Sequence, residues 1–480
     1  MIYRFSLPVV FFVVSFFSLN AQQLTFEGDT ASTNDQLGFD VAMTENFAVS
    51  AAWQKNVWFQ GELKEEAGCV YLHKKEKGEW VYQERITYPE PRKDDSFGRS
   101  IAISEDYLVV GAASRNPLSK KDGRYNREGA VFIYHRNGDS YVFKHELKCE
   151  RLQGDILFGE KVTVGGDYMA VACNYPIDRP DGKKSNGAVL VYKLSHESEP
   201  QQIATLISEG STSAFDYAVK IHGNKLLVAE ENQRVSLYEL KGESVDIKQE
   251  IFPEEGFESD FGHDVAASDD YIVVGASGGD YDFYGVEFDS SIDSLYSLMM
   301  IDDETGRFAM KYIQNNKADM EKYGVSSEVF KKGAKPYETW EEYSARKGGA
   351  GAVYVYKKEK DGYKLSQTLM ASDRKADDNF GMRVEIEGDL IVVGAFGKAS
   401  SQGGKDEDRF AGAAYAFKLN KGKWKEVKKY QEQNPKGWDK FGFSVACSKD
   451  EIMIGCRFKD VEKDGALTED AGTVYFYKKP

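Results

Sequence analysis

The sequence predicts an all-β chain: a seven-bladed β-propeller of four-stranded antiparallel blades, with a small helical insertion in blade 5. Three observations carry that reading. One motif recurs seven times, its copies starting near residues 37, 97, 158, 215, 261, 380 and 441. Each copy holds four short runs rich in apolar and β-branched residues that alternate with period two between Gly, Asn, Asp and Lys turns. Helical periodicity is nearly absent outside one stretch. Four antiparallel strands repeated seven times is the pattern of a propeller, whereas a solenoid needs fewer strands per unit.

The elements follow in chain order. Residues 1–21 open with Arg4, run apolar from 5 to 19 and close on Leu19, Asn20 and Ala21, the layout of a secretory signal peptide too short to span a membrane. The mature chain, residues 22–480, is expected to be secreted, whether extracellular, on the cell surface or periplasmic, without a transmembrane segment and as a monomer. Its first run, residues 22–27, aligns with the fourth strand of other copies, while the seventh copy stops after its third strand. The first strand is therefore expected to complete the last blade and remove an open edge. Counted from the residue after the aromatic or Leu, the copies are 60, 61, 57, 46, 119 and 61 residues apart, so one is short and the fifth carries an insertion, residues 281–347. There Ile292, Leu295, Tyr296, Leu298, Met299, Phe308, Tyr312, Ile313, Trp340 and Tyr343 recur at near-helical spacing. Short amphipathic helices forming a lid, a partner site or a decorative subdomain are expected.

Composition narrows the function. With 78 acidic against 62 basic residues and a net charge of -16, the chain lacks the basic footprint that nucleic acid or an anionic membrane requires. Five cysteines, an odd number without a C-x-x-C pair, argue against both a disulfide scaffold and a zinc site.

The repeated motif pairs Phe97-Gly98 with Val110-Gly111-Ala112, Phe261-Gly262 with Val274-Gly275-Ala276 and Phe380-Gly381 with Val393-Gly394-Ala395, and third strands open at Gly187, Gly351 and Gly472. This resembles the FG-GAP repeat family, found in the propeller heads of integrin α-subunits and in many secreted bacterial proteins. Phe is expected to wedge between sheets, Gly to admit close backbone approach, and Gly-Ala to keep the interior small. Where integrin-like copies carry an Asp-x-Asp-x-Asp-Gly calcium loop, this chain has turns such as Thr44 to Asn46, Ser104 to Asp106 and Ser268 to Asp270. They are too short to wrap a cation that takes six to eight oxygens. No integrin-type calcium, and no metal or other cofactor, is expected. Asp35, Asp95, Asp378 and Asp439, two residues before the aromatic, read as turn caps, with a carboxylate ring as the alternative.

The strand 1–2 and 3–4 turns are short throughout, while the 2–3 loops on the opposite face are long and dissimilar, so that face is the candidate binding surface. Its candidate ligand residues are Trp53, Trp58 and Phe59, the basic Arg115 and Arg124 beside Lys120, Lys121 and Arg127, and Asp280, Asp282 and Tyr284 at the start of the insertion. Catalytic patterns are thin. His73, His135, His145 and His196 fall in or beside outer strands, and no two histidines show ligand spacing. His263 takes an inner-strand position held elsewhere by Asp40, Arg99, Glu160, Tyr217, Met382 and Phe443. The leading expectation is a non-enzymatic binding or adhesion propeller for a protein or glycan. A polysaccharide lyase or hydrolase with its site in the central funnel, and a structural part of a cell-surface assembly, are the alternatives.

Overall fold

A computed structural model describes residues 24–114, 128–149, 156–173, 187–207, 218–230, 234–254, 260–278, 349–400, 409–463 and 465–480. The sequence-predicted leader and the 281–347 insertion lie outside these residues. The described strands form seven four-stranded antiparallel sheets and two small hairpins, Val57–Phe59 with Glu62–Lys64 and Val461–Lys463 with Ala466–Thr468. Among the described residues no helix is long and apolar enough to cross a membrane.

Blades 2 to 6 each take four consecutive strands, and blade 1 does the same around its hairpin. Blade 7 holds Phe441–Cys447, Glu451–Cys456 and Thr473–Lys478 and is completed by Leu24–Phe26, which pairs antiparallel with the last of these, Leu24 opposite Phe476 and Phe26 opposite Val474. The closure expected from the sequence is therefore present.

The core lies between sheets. One cluster joins Val353 and Val355 of blade 5 to Phe380, Val393 and Tyr415 of blade 6, and another joins Phe47 and Val70 of blade 1 to Phe97, Val110 and Phe132 of blade 2. Phe97, Phe158, Phe261, Phe380 and Phe441 are all fully enclosed. Truncating one of them to Ala would cost roughly 3–5 kcal/mol.

The glycines explain the spacing of the blades. A Cβ on Gly111 of blade 2 would stand 2.0 Å from the carbonyl oxygen of Gly159 in blade 3, itself at φ +94°. The same clash would arise at Gly275 against Gly381, Gly394 against Gly442 and Gly455 against Gly38. The close approach runs from the second strand of one blade to the FG glycine of the next, so both motif glycines serve a single contact.

Inner strands carry an unpaired edge toward the channel, and side chains satisfy it. Asp40 Oδ2 accepts from Ile101 N–H at 2.8 Å, Ser100 Oγ from Val162 N–H at 3.2 Å, Thr163 Oγ1 from Ile221 N–H at 2.9 Å and Asp264 Oδ2 from Val384 N–H at 2.8 Å. Ser444 Oγ donates to the Gly38 carbonyl at 2.7 Å, carrying the series across the closing seam.

Candidate functional site at the channel mouth

Inner strands converge on the channel, so their first residues form its mouth on the face of the long loops. One backbone bond fixes the register: the N–H of Phe39, Arg99, Glu160, His263, Met382 and Phe443 each donates to the carbonyl three residues earlier. This corrects the sequence alignment in blade 1, where Phe39 occupies the place of His263 and Asp40 follows it.

Phe39, Met382 and Phe443 pack with Trp53 and Phe396, which follow the second strands of blades 1 and 6, and with Phe410. Basic side chains stack on these rings. Arg99 Cζ lies 5.0 Å from the Phe39 centroid and 4.8 Å from that of Trp53. Arg457 Cζ lies 4.1 Å from Phe458, 4.5 Å from Phe443 and 5.0 Å from Phe39. Lys440 Nζ is 5.3 Å from Phe396 and 4.9 Å from Phe458, while Arg383 sits over Phe443 and Arg409 over Phe410. Glu160 pairs with Arg99 at 3.2 Å, both half-exposed.

Deeper in the channel the charges are engaged with one another. Burial pushes the Asp40 carboxyl up against the pull of Lys161, and burial followed by Arg383 pushes the Lys161 ammonium down. Burial also disfavours the charged form of Lys220, but Glu385, 2.5 Å away, outweighs it and holds the ammonium above its ordinary range.

The recurring acids behave as turn caps. Asp35, Asp378 and Asp439 accept from the N–H three residues earlier at 2.7, 2.7 and 3.0 Å, and Asp95 does so at 2.8 Å. Three also hold a lysine 20 residues onward: Lys55 at 2.6 Å, Lys398 at 2.7 Å and Lys459 at 3.2 Å. A ring of free carboxylates is thus replaced by separate ion pairs, one in each of blades 1, 6 and 7.

The FG-GAP repeat family matches residues 80–134 and 363–417. Each match begins in the fourth strand of one blade and ends in the third strand of the next, over Phe97-Gly98 and Phe380-Gly381 respectively. The chain carries FG-GAP repeats. No curated protein matches it. Among solved structures, the crystal structure of the computationally designed Ika8 protein aligns over 93% of this chain and 98% of its own, at 11% identity and a TM-score of 0.40.

In this seven-bladed propeller the sequence-predicted ligand residues separate. Trp53 is buried, donating its Nε1–H to Gln36 Oε1 at 3.1 Å and packing on Phe39, so it plugs the mouth. Trp58 is 71% exposed on the blade 1 hairpin, opposite Leu63, and Phe59 is half-buried. Arg115, Arg124, Asp280, Asp282 and Tyr284 lie outside the described residues, as do Lys120, Lys121 and Arg127. Sequence reading missed Arg383, Arg409, Lys440 and Arg457. Their signal was weak: Arg409, Lys440 and Arg457 each stand next to a Phe and Arg383 lies two residues after the Phe380-Gly381 motif, and only convergence of the blades brings them together.

The histidines are also rearranged. His135 lies 5.6 Å from His145 and 4.8 Å from His196 between ring centroids, and burial, then His196 and His145, push it down to about 4. His145 Nδ1 pairs with Glu199 at 2.8 Å. Among the described residues no group of three or more His, Cys, Asp or Glu is arranged to hold a metal ion. His73, held by burial at about 4, packs against Phe26 and Phe476 at the closing seam. In the 1–2 turns the hydroxyls of Thr44 and Ser104 accept from their own backbone, at Phe47 and Tyr107.

Proposed function

We propose that this FG-GAP propeller is a binding or adhesion protein, acting outside the cytoplasm, that recognises a protein or glycan through its loop-rich face and performs no chemistry on it. One observation carries the reading: the described residues of that face gather a collar of stacked aromatic and basic side chains, whereas the opposite face consists mostly of tight turns. The carboxyl groups of the described channel support binding over hydrolysis. Asp40 and Asp264 accept backbone N–H groups, Glu160 holds Arg99 and Glu385 holds Lys220. An acid/base pair facing a groove would need freedom that these contacts remove. The signal-like leader and the net charge of -16 agree with an exported protein.

The test is capture on arrays of glycans and of extracellular proteins. Trp58→Ala and Lys440→Gln on the loop face are expected to weaken capture, and Lys421→Gln in an exposed turn of the other face to leave it unchanged. Equal loss from both faces, or turnover of a captured polysaccharide, would overturn the proposal.

A further inference from the structure

Blades 1 and 7 carry the same hairpin. Residues 53–68 and 457–472 each link a second strand to a third, are equal in length and run in one register, with Trp58 opposite Leu63 in blade 1 and Glu462 opposite Leu467 in blade 7. Their supports match as well. The N–H of Gly68 donates to the Lys55 carbonyl and that of Gly472 to the Lys459 carbonyl, both at 2.9 Å. Asn56 Oδ1 and Asp460 Oδ1 accept from the N–H of Glu66 and Asp470 at 2.9 and 3.1 Å, and Val57 and Val461 are buried. Gly61 and Gly465 turn the two hairpins at φ +83° and +78°. Because blade 7 builds this hairpin with Glu462, the hairpin does not require an aromatic at position 58. Yet Trp58 is the most exposed large apolar side chain among the described residues, at 71%, and Leu63 opposite it is 43% exposed. An indole held in water by a frame that does without it points to a ligand.

Strand alternation decides which chemistry meets it. Trp58 and Leu63 share one face of the hairpin, while Val57, Phe59, Glu62 and Lys64 lie on the other, where Glu62 and Lys64 pair with each other. The Trp58 face is thus apolar, carries no charge of its own and is two side chains wide. That is far below the ~800 Å² per partner of a stable protein interface, but it matches one sugar ring. Resting on the binding role proposed above, we infer that the blade 1 hairpin is a stacking platform for a neutral glycan, one β-linked pyranose lying on the Trp58 indole with Leu63 at its edge. A pyranose with equatorial hydroxyls turns a face of axial C–H groups outward, and the electron-rich face of an indole attracts their partial positive charge. An acidic glycan finds no cation on this face and meets a chain of net charge -16. The platform is also preorganised: the N–H groups of Asp94 and Ser96, at the entry to blade 2, donate to the Glu65 and Glu66 carbonyls at 2.9 and 3.1 Å and anchor the hairpin base.

The experiment is calorimetric titration of the full chain with cellohexaose and with xylohexaose, at low and at high salt. At least one is expected to bind, with an affinity that salt leaves unchanged because no charge is neutralised. Trp58→Glu, which copies blade 7, is expected to keep the unfolding midpoint of the parent and to weaken binding by about tenfold or more, while Trp58→Phe keeps a ring and should lose less. Trp58→Gln repeats the test without a charge if the glutamate lowers the midpoint. No binding of either hexasaccharide, binding that both Trp58→Glu and Trp58→Gln leave unchanged, or an affinity that falls as salt rises would overturn the inference. If neither sugar binds while Trp58→Ala still loses capture of a protein on the arrays, the binding role stands and the platform for a sugar falls. If turns on the other face govern capture, both fall.

Discussion

Blades 6 and 7 are built from the same parts and balanced differently. In blade 6, Asp373 accepts from Tyr415 at 2.7 Å and from Lys429 at 2.9 Å, while Lys398 bridges Asp373 and Asp378. Two acids meet two cations. In blade 7, Glu432 takes the place of Asp373, with Tyr475 on one oxygen and Lys459 on the other at 2.6 Å, and Lys459 reaches Asp439 at 3.2 Å. The residue opposite Tyr415 is Lys429, but the residue opposite Tyr475 is Thr25, from the strand that closes the ring. Blade 1 follows blade 6, with Arg85 opposite Tyr71 and paired to Asp29 at 3.1 Å. Borrowing a short strand from the other end of the chain costs blade 7 its second cation.

Four changes break or sharpen this contrast. The largest effect is expected from removing residues 22–30, which takes away the closing strand and the packing of Phe26 on Tyr71, His73 and Tyr82. The loss should be on the order of 5 kcal/mol by denaturant unfolding, and an unchanged midpoint would refute the latch. Next, Lys459→Met leaves two buried carboxylates with no cation and should cost about 3–5 kcal/mol. Lys398→Met should cost less because Lys429 stays on Asp373, and equal losses would contradict the charge inventory.

The third change is read through pH. Burial raises Asp439 to about 6, with Lys459 opposing and Glu432 adding to the rise, whereas the hydrogen bonds from Tyr415 and Lys429 overcome burial and hold Asp373 down at about 2. The folded state binds a proton at Asp439 more tightly than the unfolded chain does. That site therefore adds stability as pH falls from about 6 toward 4, and its cost is fully present above 6. At Asp373 the sign reverses: the stabilisation is present above the ordinary carboxylate range and is lost as pH falls toward 2. Stability curves of Asp439→Asn and Asp373→Asn should therefore depart from the parent in opposite directions at pH 7, the first upward and the second downward. Parallel curves would sink the comparison. The smallest effect is expected from Thr25→Lys, which restores the missing cation at an exposed position and should add up to about 1 kcal/mol.

Most of this architecture was legible in the sequence. Period-two runs, the Phe-Gly and Val-Gly-Ala motifs and the orphaned first strand are local patterns, and local patterns determined blade number and closure. The ion pairs were legible only in part. Each Asp cap is a three-residue turn, but its lysine lies 20 residues away across a strand hairpin, and strand periodicity carries no signal for it. The shared offset of Lys55, Lys398 and Lys459 would have revealed it, and Arg115 stands at the same distance from Asp95. The collar was the least legible feature. Arg99 and Arg457 are separated by most of the chain and meet only because seven inner strands share one axis. Trp53 was ambiguous in the sequence for the same reason, since an aromatic at a loop start can face solvent or plug the axis, and burial decides for the second.

The pairing of Leu24 with Phe476 also sets a clock on folding. Blades 2 to 6 hold all their strands in continuous stretches and can form as the chain emerges, but the first strand must wait unpartnered until Thr473–Lys478 has been made. Until then the growing protein is an open arc in which the apolar face of blade 1, with Ala48, Tyr71 and Trp80, lacks its cover of Met453, Val474 and Phe476, and only pairing with the third strand of blade 7 converts the arc into a ring.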